Sequence, residues 1–269
     1  MAKIKVEKVQ QLEGHRDSIY TLIPTEKSSQ FISSGGDGLL VLWDIEKSTD
    51  GQLLVKVPNS VYAIAFDEVN NQLVVGHNFE GIHIIDITTK KEITSKKLIN
   101  STIFDIQFTD KYIFVAFNTG QVLVLGKETL TIVHEINFST QSARCLAISF
   151  EKDELAIGYS DACIRIIDLN TFELKKELKE HTKSVFSLAY SPDKQHLLSV
   201  GRDANLKIWN IENNYQMEKS IVAHMYTINH LTYSPDGCYF ATCSMDKSIK
   251  IWDATTFQLL KVIDKARHA

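Results

Sequence analysis

The sequence has 269 residues, of which 44% are hydrophobic and 23% are charged, and its formal net charge is −4. This composition is ordinary for a globular domain, and the negative charge argues against a general nucleic-acid binder. The amino-terminal residues have no apolar signal-peptide core, no apolar run approaches the roughly 18 residues of a membrane span, and the four cysteines form no CxxC pair. We therefore expect a cytoplasmic protein without disulfides, metal or membrane contact.

The first structured stretch, "GHRDSIYTL…FISSGGDGLLVLWD", contains a polar set at fixed spacing. Ser33 follows His15 by 18 residues, Asp37 follows Ser33 by 4 residues, and Trp43 follows Asp37 by 6 residues. The stretch also alternates short Val-, Ile-, Leu- and aromatic-rich runs with Gly- and Asp-rich turns, which indicates β-strands.

The next three stretches keep this frame but lose most of the polar set. They end at residues 85, 125 and 167, and the middle one is two residues shorter in its turn. In the second copy the four positions are Val57, Val75, Phe79 and Ile85. In the fourth copy Asp161 remains without its His, and we expect it to cap its own turn.

The last two stretches repeat the polar set with identical spacing. Their residues are His181, Ser199, Asp203 and Trp209 in the fifth copy and His224, Thr242, Asp246 and Trp252 in the sixth. The period is thus about 42 residues with six copies, and each copy has four strand-like runs. Four short strands per copy at this period predict the blade of a β-propeller.

These residues resemble the WD40 repeat family along essentially the whole chain. The resemblance implies an all-β propeller in which each polar tetrad is a buried hydrogen-bond chain from Asp through His and Ser or Thr to Trp. A catalytic triad uses the same residue types, but an active site need not be built three times, so we assign the tetrads a structural role.

The predicted repeats divide a single propeller domain. Their ranges are 14–56, 57–96, 97–138, 139–180, 181–223 and 224–264. Residues 1–13 are predicted to form the outer strand of a closing blade. Residues 265–269 contain His268, which lies where a further repeat would open. We therefore expect a seven-bladed architecture truncated before the inner strands of blade 7, with a closed six-bladed ring as the alternative.

Within the family, partner contacts concentrate on the top face, at three positions per repeat. The third-position column, three residues after the His, contains Ser18, Ser60, Thr102, Ser142, Ser184 and Thr227. The fifth-position column contains Tyr20, Tyr62, Phe104, Arg144, Phe186 and Asn229. The pre-Asp column contains Gly36, Asn78, Asn118, Ser160, Arg202 and Met245.

The fifth-position column is rich in aromatic and arginine side chains, which are enriched at interface hot spots. It predicts a non-enzymatic scaffold that binds a protein or peptide, with Arg144 and Arg202 favouring an acidic or phosphorylated segment. An alternative is that the aromatic side chains fill the channel. The hydroxyls of the third-position column are expected to satisfy backbone groups.

A different class of function, a small-molecule or catalytic site at the channel mouth, has weaker support. Asp105 and His230 are its polar candidates, and Cys145 shares their column. His77 and His83 are separated by a turn, so we predict neither a metal pair nor a cofactor.

Overall fold

The computed structural model describes residues 4–47 and 50–264, and within these ranges it contains twenty-four strands in six four-stranded antiparallel sheets. In every sheet the strands lie in chain order. The predicted all-β propeller blades are therefore confirmed. The chain divides into two compact units, residues 8–140 and residues 1–7 with 141–269.

The first unit contains blades 1 to 3. Blade 1 consists of β1 (Ile19–Pro24), β2 (Gln30–Gly35), β3 (Leu39–Asp44) and β4 (Gln52–Lys56). Blade 2 consists of β5 (Ala63–Asp67), β6 (Gln72–His77), β7 (Gly81–Asp86) and β8 (Lys91–Lys97). Blade 3 consists of β9 (Ile103–Phe108), β10 (Tyr112–Phe117), β11 (Val122–Gly126) and β12 (Ile132–Ile136).

The second unit contains blades 4 to 6. Blade 4 consists of β13 (Ala143–Ser149), β14 (Glu154–Tyr159), β15 (Ile164–Asp168) and β16 (Leu174–Leu178). Blade 5 consists of β17 (Val185–Tyr190), β18 (His196–Gly201), β19 (Asn205–Asn210) and β20 (Gln216–Val222). Blade 6 consists of β21 (Ile228–Tyr233), β22 (Tyr239–Ser244), β23 (Ser248–Asp253) and β24 (Leu259–Asp264).

The hydrophobic core of each unit lies between adjacent blades. In blades 1 and 2, Ile32 and Leu40 pack with Leu73 and Val75. In blades 5 and 6, Leu198 packs with Phe240. The second and third strands of the blades are rich in Val, Ile and Leu because residues on both of their faces are buried, whereas the fourth strands are largely exposed and carry charged residues. Among the described residues, no helix is long and apolar enough to cross a membrane.

The amino-terminal segment differs from the prediction of an outer strand over residues 1–13. The described residues 4–13 form no strand, and Glu13 makes only an isolated bridge to Asp50. Each of the six blades in the described part of the chain already has its fourth strand, so none of them lacks the outer strand that this segment was predicted to supply. The predicted start of a further repeat, residues 265–269 with His268, lies outside the described residues.

Candidate partner-binding site

Each of the three polar tetrads forms one continuous hydrogen-bond chain within its blade. In blade 5, His181 Nδ1 lies 2.8 Å from Asp203 Oδ2, and His181 Nε2 lies 2.7 Å from Ser199 Oγ. The indole N–H of Trp209 donates to the same Ser199 oxygen at 2.8 Å. Blades 1 and 6 repeat this arrangement with hydrogen bonds of 2.6–3.0 Å, through His15, Asp37, Ser33 and Trp43 and through His224, Asp246, Thr242 and Trp252.

The aspartates of these chains also receive backbone N–H groups, which fixes them as carboxylates. Burial raises the pKa of Asp203, but hydrogen bonds from His181 and from the backbone of Thr182 and Asn205 outweigh it and bring the pKa to about 2. The Ser199 hydroxyl has no exposed surface. A buried oxygen already bonded to an indole and an imidazole is inaccessible to substrate, so these sets stabilise blades and present no nucleophile.

Blade 4 uses its remaining acid differently. Asp161 Oδ1 accepts from the backbone N–H of Cys163 at 3.0 Å, which caps the turn. Its other oxygen accepts from Arg165 at 2.8 Å, and Arg165 also pairs with Glu177 at 2.8 Å. The guanidinium lies 4.7 Å from the centre of the Tyr159 ring.

The fifth-position column coincides with a β-bulge in the first strand of the blade. In blade 5, Val185 pairs with Gly201 and Ser187 pairs with Val200, so Phe186 has no counterpart on the second strand. Blades 1, 3, 4 and 6 skip Tyr20, Phe104, Arg144 and Asn229 in the same way. In blade 2, Tyr62 lies directly before β5. A bulge redirects the extra side chain away from the regular alternation of the strand. The fifth-position column, called the bulge column from here on, is thus set apart from the sheet in both units.

In the first unit, three bulge-column side chains form a connected aromatic cluster: Tyr20, Tyr62 and Phe104. The ring centres of Tyr20 and Tyr62 are 4.3 Å apart, and those of Tyr62 and Phe104 are 6.1 Å apart, both pairs being tilted. Tyr20 is 46% exposed, and the other two are half-buried. Burial, with additional effects of Tyr20 and Asp17, raises the pKa of Tyr62, so its hydroxyl is neutral. The cluster offers apolar area with polar hydroxyl edges.

In the second unit, Arg144 and Phe186 of the bulge column and Arg202 of the pre-Asp column form what we call the arginine cluster. The Arg144 guanidinium lies 5.4 Å from the centre of the Phe186 ring, and its Nε donates to Ser160 Oγ at 2.8 Å. Burial lowers the pKa of Arg144, and the positive charge of Arg202 lowers it further. Arg202 is exposed and makes no ion pair with any residue that the structure describes. Arg144 therefore lies over an aromatic ring, and the charge of Arg202 is close enough to act on it.

The other two columns are joined by the backbone. The carbonyl oxygens of Ser18, Thr102, Ser142, Ser184 and Thr227 accept from the N–H groups of Gly36, Asn118, Ser160, Arg202 and Met245 at 2.8–3.0 Å. Two hydroxyls of the third-position column reach a neighbouring blade: Ser60 to the Gly36 carbonyl and Ser184 to the Ser160 carbonyl, both at 3.4 Å.

The structure corrects the prediction for Asn78. This side chain is only 2% exposed. Its amide nitrogen donates to the Ser60 carbonyl at 2.8 Å, and its oxygen accepts from the Ile103 N–H at 2.9 Å. Both ends are used within the unit, so Asn78 links blades 2 and 3 and is not available to a partner. By contrast, Met245 is 64% exposed.

The structure also corrects the inference that the turn between His77 and His83 keeps their side chains apart. Their ring centres are 5.2 Å apart. His83 pairs with Val75 and Gly81 pairs with His77, so the two histidines are diagonal neighbours on one face of the hairpin. Sequence spacing alone does not reveal this, because it depends on the register of the hairpin.

The residues that support a catalytic alternative make ordinary local contacts. Asp105 Oδ1 accepts from the N–H of Ile106 at 2.8 Å. His230 Nδ1 lies 3.2 Å from Ser187 Oγ. No group of three or more His, Cys, Asp or Glu residues in the described ranges is arranged to hold a metal ion.

Repeated four-stranded blades with bulged first strands and polar tetrads are the elements of a β-propeller. A family model, "WD domain, G-beta repeat", matches residues 6–44, 172–210 and 216–253. The crystal structure of the WD40 β-propeller domain of Doa1 superposes with a TM-score of 0.82, at 17% identity, over 94% of this chain and 84% of that one. The chain therefore carries WD40 repeats at these three places, and its blades have the fold of a WD40 β-propeller.

The curated relatives that this chain matches are longer proteins, of which it covers a part. NET1-associated nuclear protein 1 of Saccharomyces cerevisiae is 26% identical over 57% of this chain and 18% of its own length. The striatin homolog of Dictyostelium discoideum is 24% identical over 73% of this chain and 26% of its own. Eukaryotic translation initiation factor 3 subunit I of Bombyx mori is 25% identical over 74% of this chain and 64% of its own length. This chain thus spans less than two thirds of the length of each.

Proposed function

We propose that this chain is a non-enzymatic scaffold that binds a protein or peptide through its bulge-column side chains. The observation that carries the proposal is the placement of aromatic and arginine residues at the bulges, where they lie outside the regular strand pairing. Relatives whose names include "complex subunit" or "translation initiation factor 3 subunit" fit a role in assemblies.

The two units favour different chemistry in a partner. The aromatic cluster (Tyr20, Tyr62, Phe104) suits an apolar or aromatic anchor, since rings already packed together lose little side-chain entropy when they bind. The arginine cluster (Arg144, Phe186, Arg202) suits a carboxylate or phosphate group, because an anion between two guanidinium groups relieves their repulsion.

We propose no catalytic activity, because the hydroxyls of the tetrads are buried and already hydrogen-bonded. A cytoplasmic location is supported by the four free cysteines. A location experiment with a fluorescent fusion tests that part separately, and exclusive nuclear signal would contradict it.

The test uses affinity purification with mass spectrometry on wild type, on Tyr62→Ala with Phe104→Ala, and on Arg144→Ala with Arg202→Ala. Phe150→Ala is the matched control, because Phe150 is 69% exposed and lies outside the bulge column. We expect partners to be lost in one or both double variants and kept in the control. An unchanged set of partners from folded double variants would refute the proposal.

A further inference from the structure

Blade 2 contains a cleft where other blades hold their tetrad. The positions of the tetrad His and Trp are occupied by Val57 and Ile85, which are buried but smaller. A cavity of about 560 Å³ lies beside them, bordered by His77, His83 and Asn59. Because Val57 and Ile85 are smaller than an imidazole and an indole, blade 2 has an accessible space where blades 1, 5 and 6 have a packed hydrogen-bond chain.

Two imidazoles converge in this cleft at a distance that suits metal coordination. His77 Nδ1 and His83 Nε2 are 3.2 Å apart. Two histidine nitrogens that bind one tetrahedral ion at about 2.0–2.1 Å are separated by about 3.3 Å. The two histidines are held on adjacent strands β6 and β7, and His77 is 5% exposed, so their positions are fixed by the hairpin.

The outer nitrogen of His83 has the partner that supports a metal-binding histidine, and that of His77 lies beside an amide side chain. His83 Nδ1 lies 2.7 Å from Glu92 Oε2, which keeps its proton on Nδ1 and leaves Nε2 as the lone pair that faces the cleft. His77 Nε2 lies 3.3 Å from the Asn59 amide. A carboxylate or carbonyl that accepts from the outer nitrogen orients a ligating imidazole and raises its basicity.

We propose that His77 and His83 bind one divalent transition-metal ion, with zinc or copper(II) as the class that imidazole ligands prefer. Water fills the remaining coordination positions, and Glu80, which borders the same cleft, adds a negative charge at its rim without being a ligand. With two histidines as its firm ligands, the site binds an ion more weakly than a closed structural zinc centre.

Binding requires a defined rearrangement at Asn59. Without metal, His77 Nδ1–H donates to His83 Nε2, and Asn59 donates to His77 Nε2. With metal, the proton of His77 moves from Nδ1 to Nε2, and the Asn59 amide turns so that its oxygen accepts this proton. The ring stays neutral and no proton is released. Asn59→Asp therefore strengthens binding, and Asn59→Leu weakens it.

The test titrates Zn²⁺ alone into the metal-free full chain by isothermal calorimetry, and records Cu²⁺ electron paramagnetic resonance for nitrogen coupling. We expect one ion per chain, with affinity reduced at least tenfold in His77→Gln and His83→Gln. Glu92→Gln reduces affinity about tenfold, as removal of such an outer partner does. His134→Gln is the control, because His134 lies exposed on β12.

Circular dichroism verifies the fold of each variant. If a histidine variant fails to fold, the weakened binding expected of Asn59→Leu provides the test in its place. No binding up to about 100 μM Zn²⁺, or equal binding by wild type and by the folded cleft variants, would overturn the proposal. Loss of Zn²⁺ binding with retained protein partners would leave the scaffold function intact, so the two proposals fail separately.

Discussion

The hydrogen-bond chain of blade 5 predicts a large loss of stability when its central oxygen is removed. Ser199 Oγ accepts from Trp209 Nε1 at 2.8 Å and lies 2.7 Å from His181 Nε2. Because Asp203 accepts from the other ring nitrogen, the Ser199 hydroxyl must donate to His181. Ser199→Ala therefore leaves one donor and one acceptor without a partner in side chains that are essentially fully buried.

The magnitude follows from these two stranded groups. A buried polar group without its partner costs about 1–3 kcal/mol, so Ser199→Ala should lower the free energy of unfolding by about 2–6 kcal/mol. The space of one hydroxyl is too small for a replacement water. Thr242→Val removes the same two bonds in blade 6, at 2.8 and 2.9 Å, while keeping the side-chain volume. It separates the hydrogen-bond loss from a packing loss.

Urea unfolding followed by far-UV circular dichroism measures these changes, with equal slopes required of the compared variants. Thr94→Val on the exposed strand β8 is the control, and it should change stability by less than about 0.5 kcal/mol. In a double-mutant cycle with Trp209→Phe, the double variant should be less destabilised than the sum by about 1 kcal/mol or more, because the indole donor is then absent. If the free energies of unfolding of Ser199→Ala and Thr242→Val equal that of Thr94→Val, the reasoning is refuted.

Two further predictions concern charged groups. The pKa of Asp203 is about 2 in the folded state against an ordinary 3.8, so its carboxylate contributes about 2 kcal/mol of stability that is present above pH 4 and lost as pH falls towards 2. The stability difference between wild type and Asp203→Asn should accordingly shrink over that range, and a constant difference in acid denaturation curves would contradict it. Lys127→Met leaves the buried Asp67, 2.6 Å from the lysine nitrogen, with Asn70 as its remaining side-chain partner and should cost about 3 kcal/mol. Thermal unfolding beside the exposed control Lys97→Met measures this, and equal melting temperatures would count against the ion pair.

Much of the fold was predictable because its information is local and repeated. The tetrad spacing, for example His181 to Trp209, is set by strand lengths within a single blade, so one copy of the sequence already implies which residues meet. The four strands of each repeat follow from turns and apolar runs that recur about every 42 residues. The fifth-position column follows from the contact positions of the resembled family. Its three members in the first unit pack together, as do Arg144 and Phe186 in the second.

The bulges, by contrast, depend on a mismatch in residue count between two paired strands. The sequence of the first strand alone does not show that Phe186 is the residue without a counterpart. The direction of its side chain therefore cannot be predicted from that strand. The stacking of Arg144 on Phe186 joins two blades, and residue spacing within either blade does not encode it.

The sequence by itself determined the repeat, the blades and the tetrads, since each rests on short-range order along the chain. Only the tertiary structure decided that Asn78 is buried between blades and that His77 and His83 face one cleft. Both outcomes depend on register and on packing between strands from different parts of the chain. A side chain's chemistry is written in the sequence, but its accessibility is decided by what packs over it.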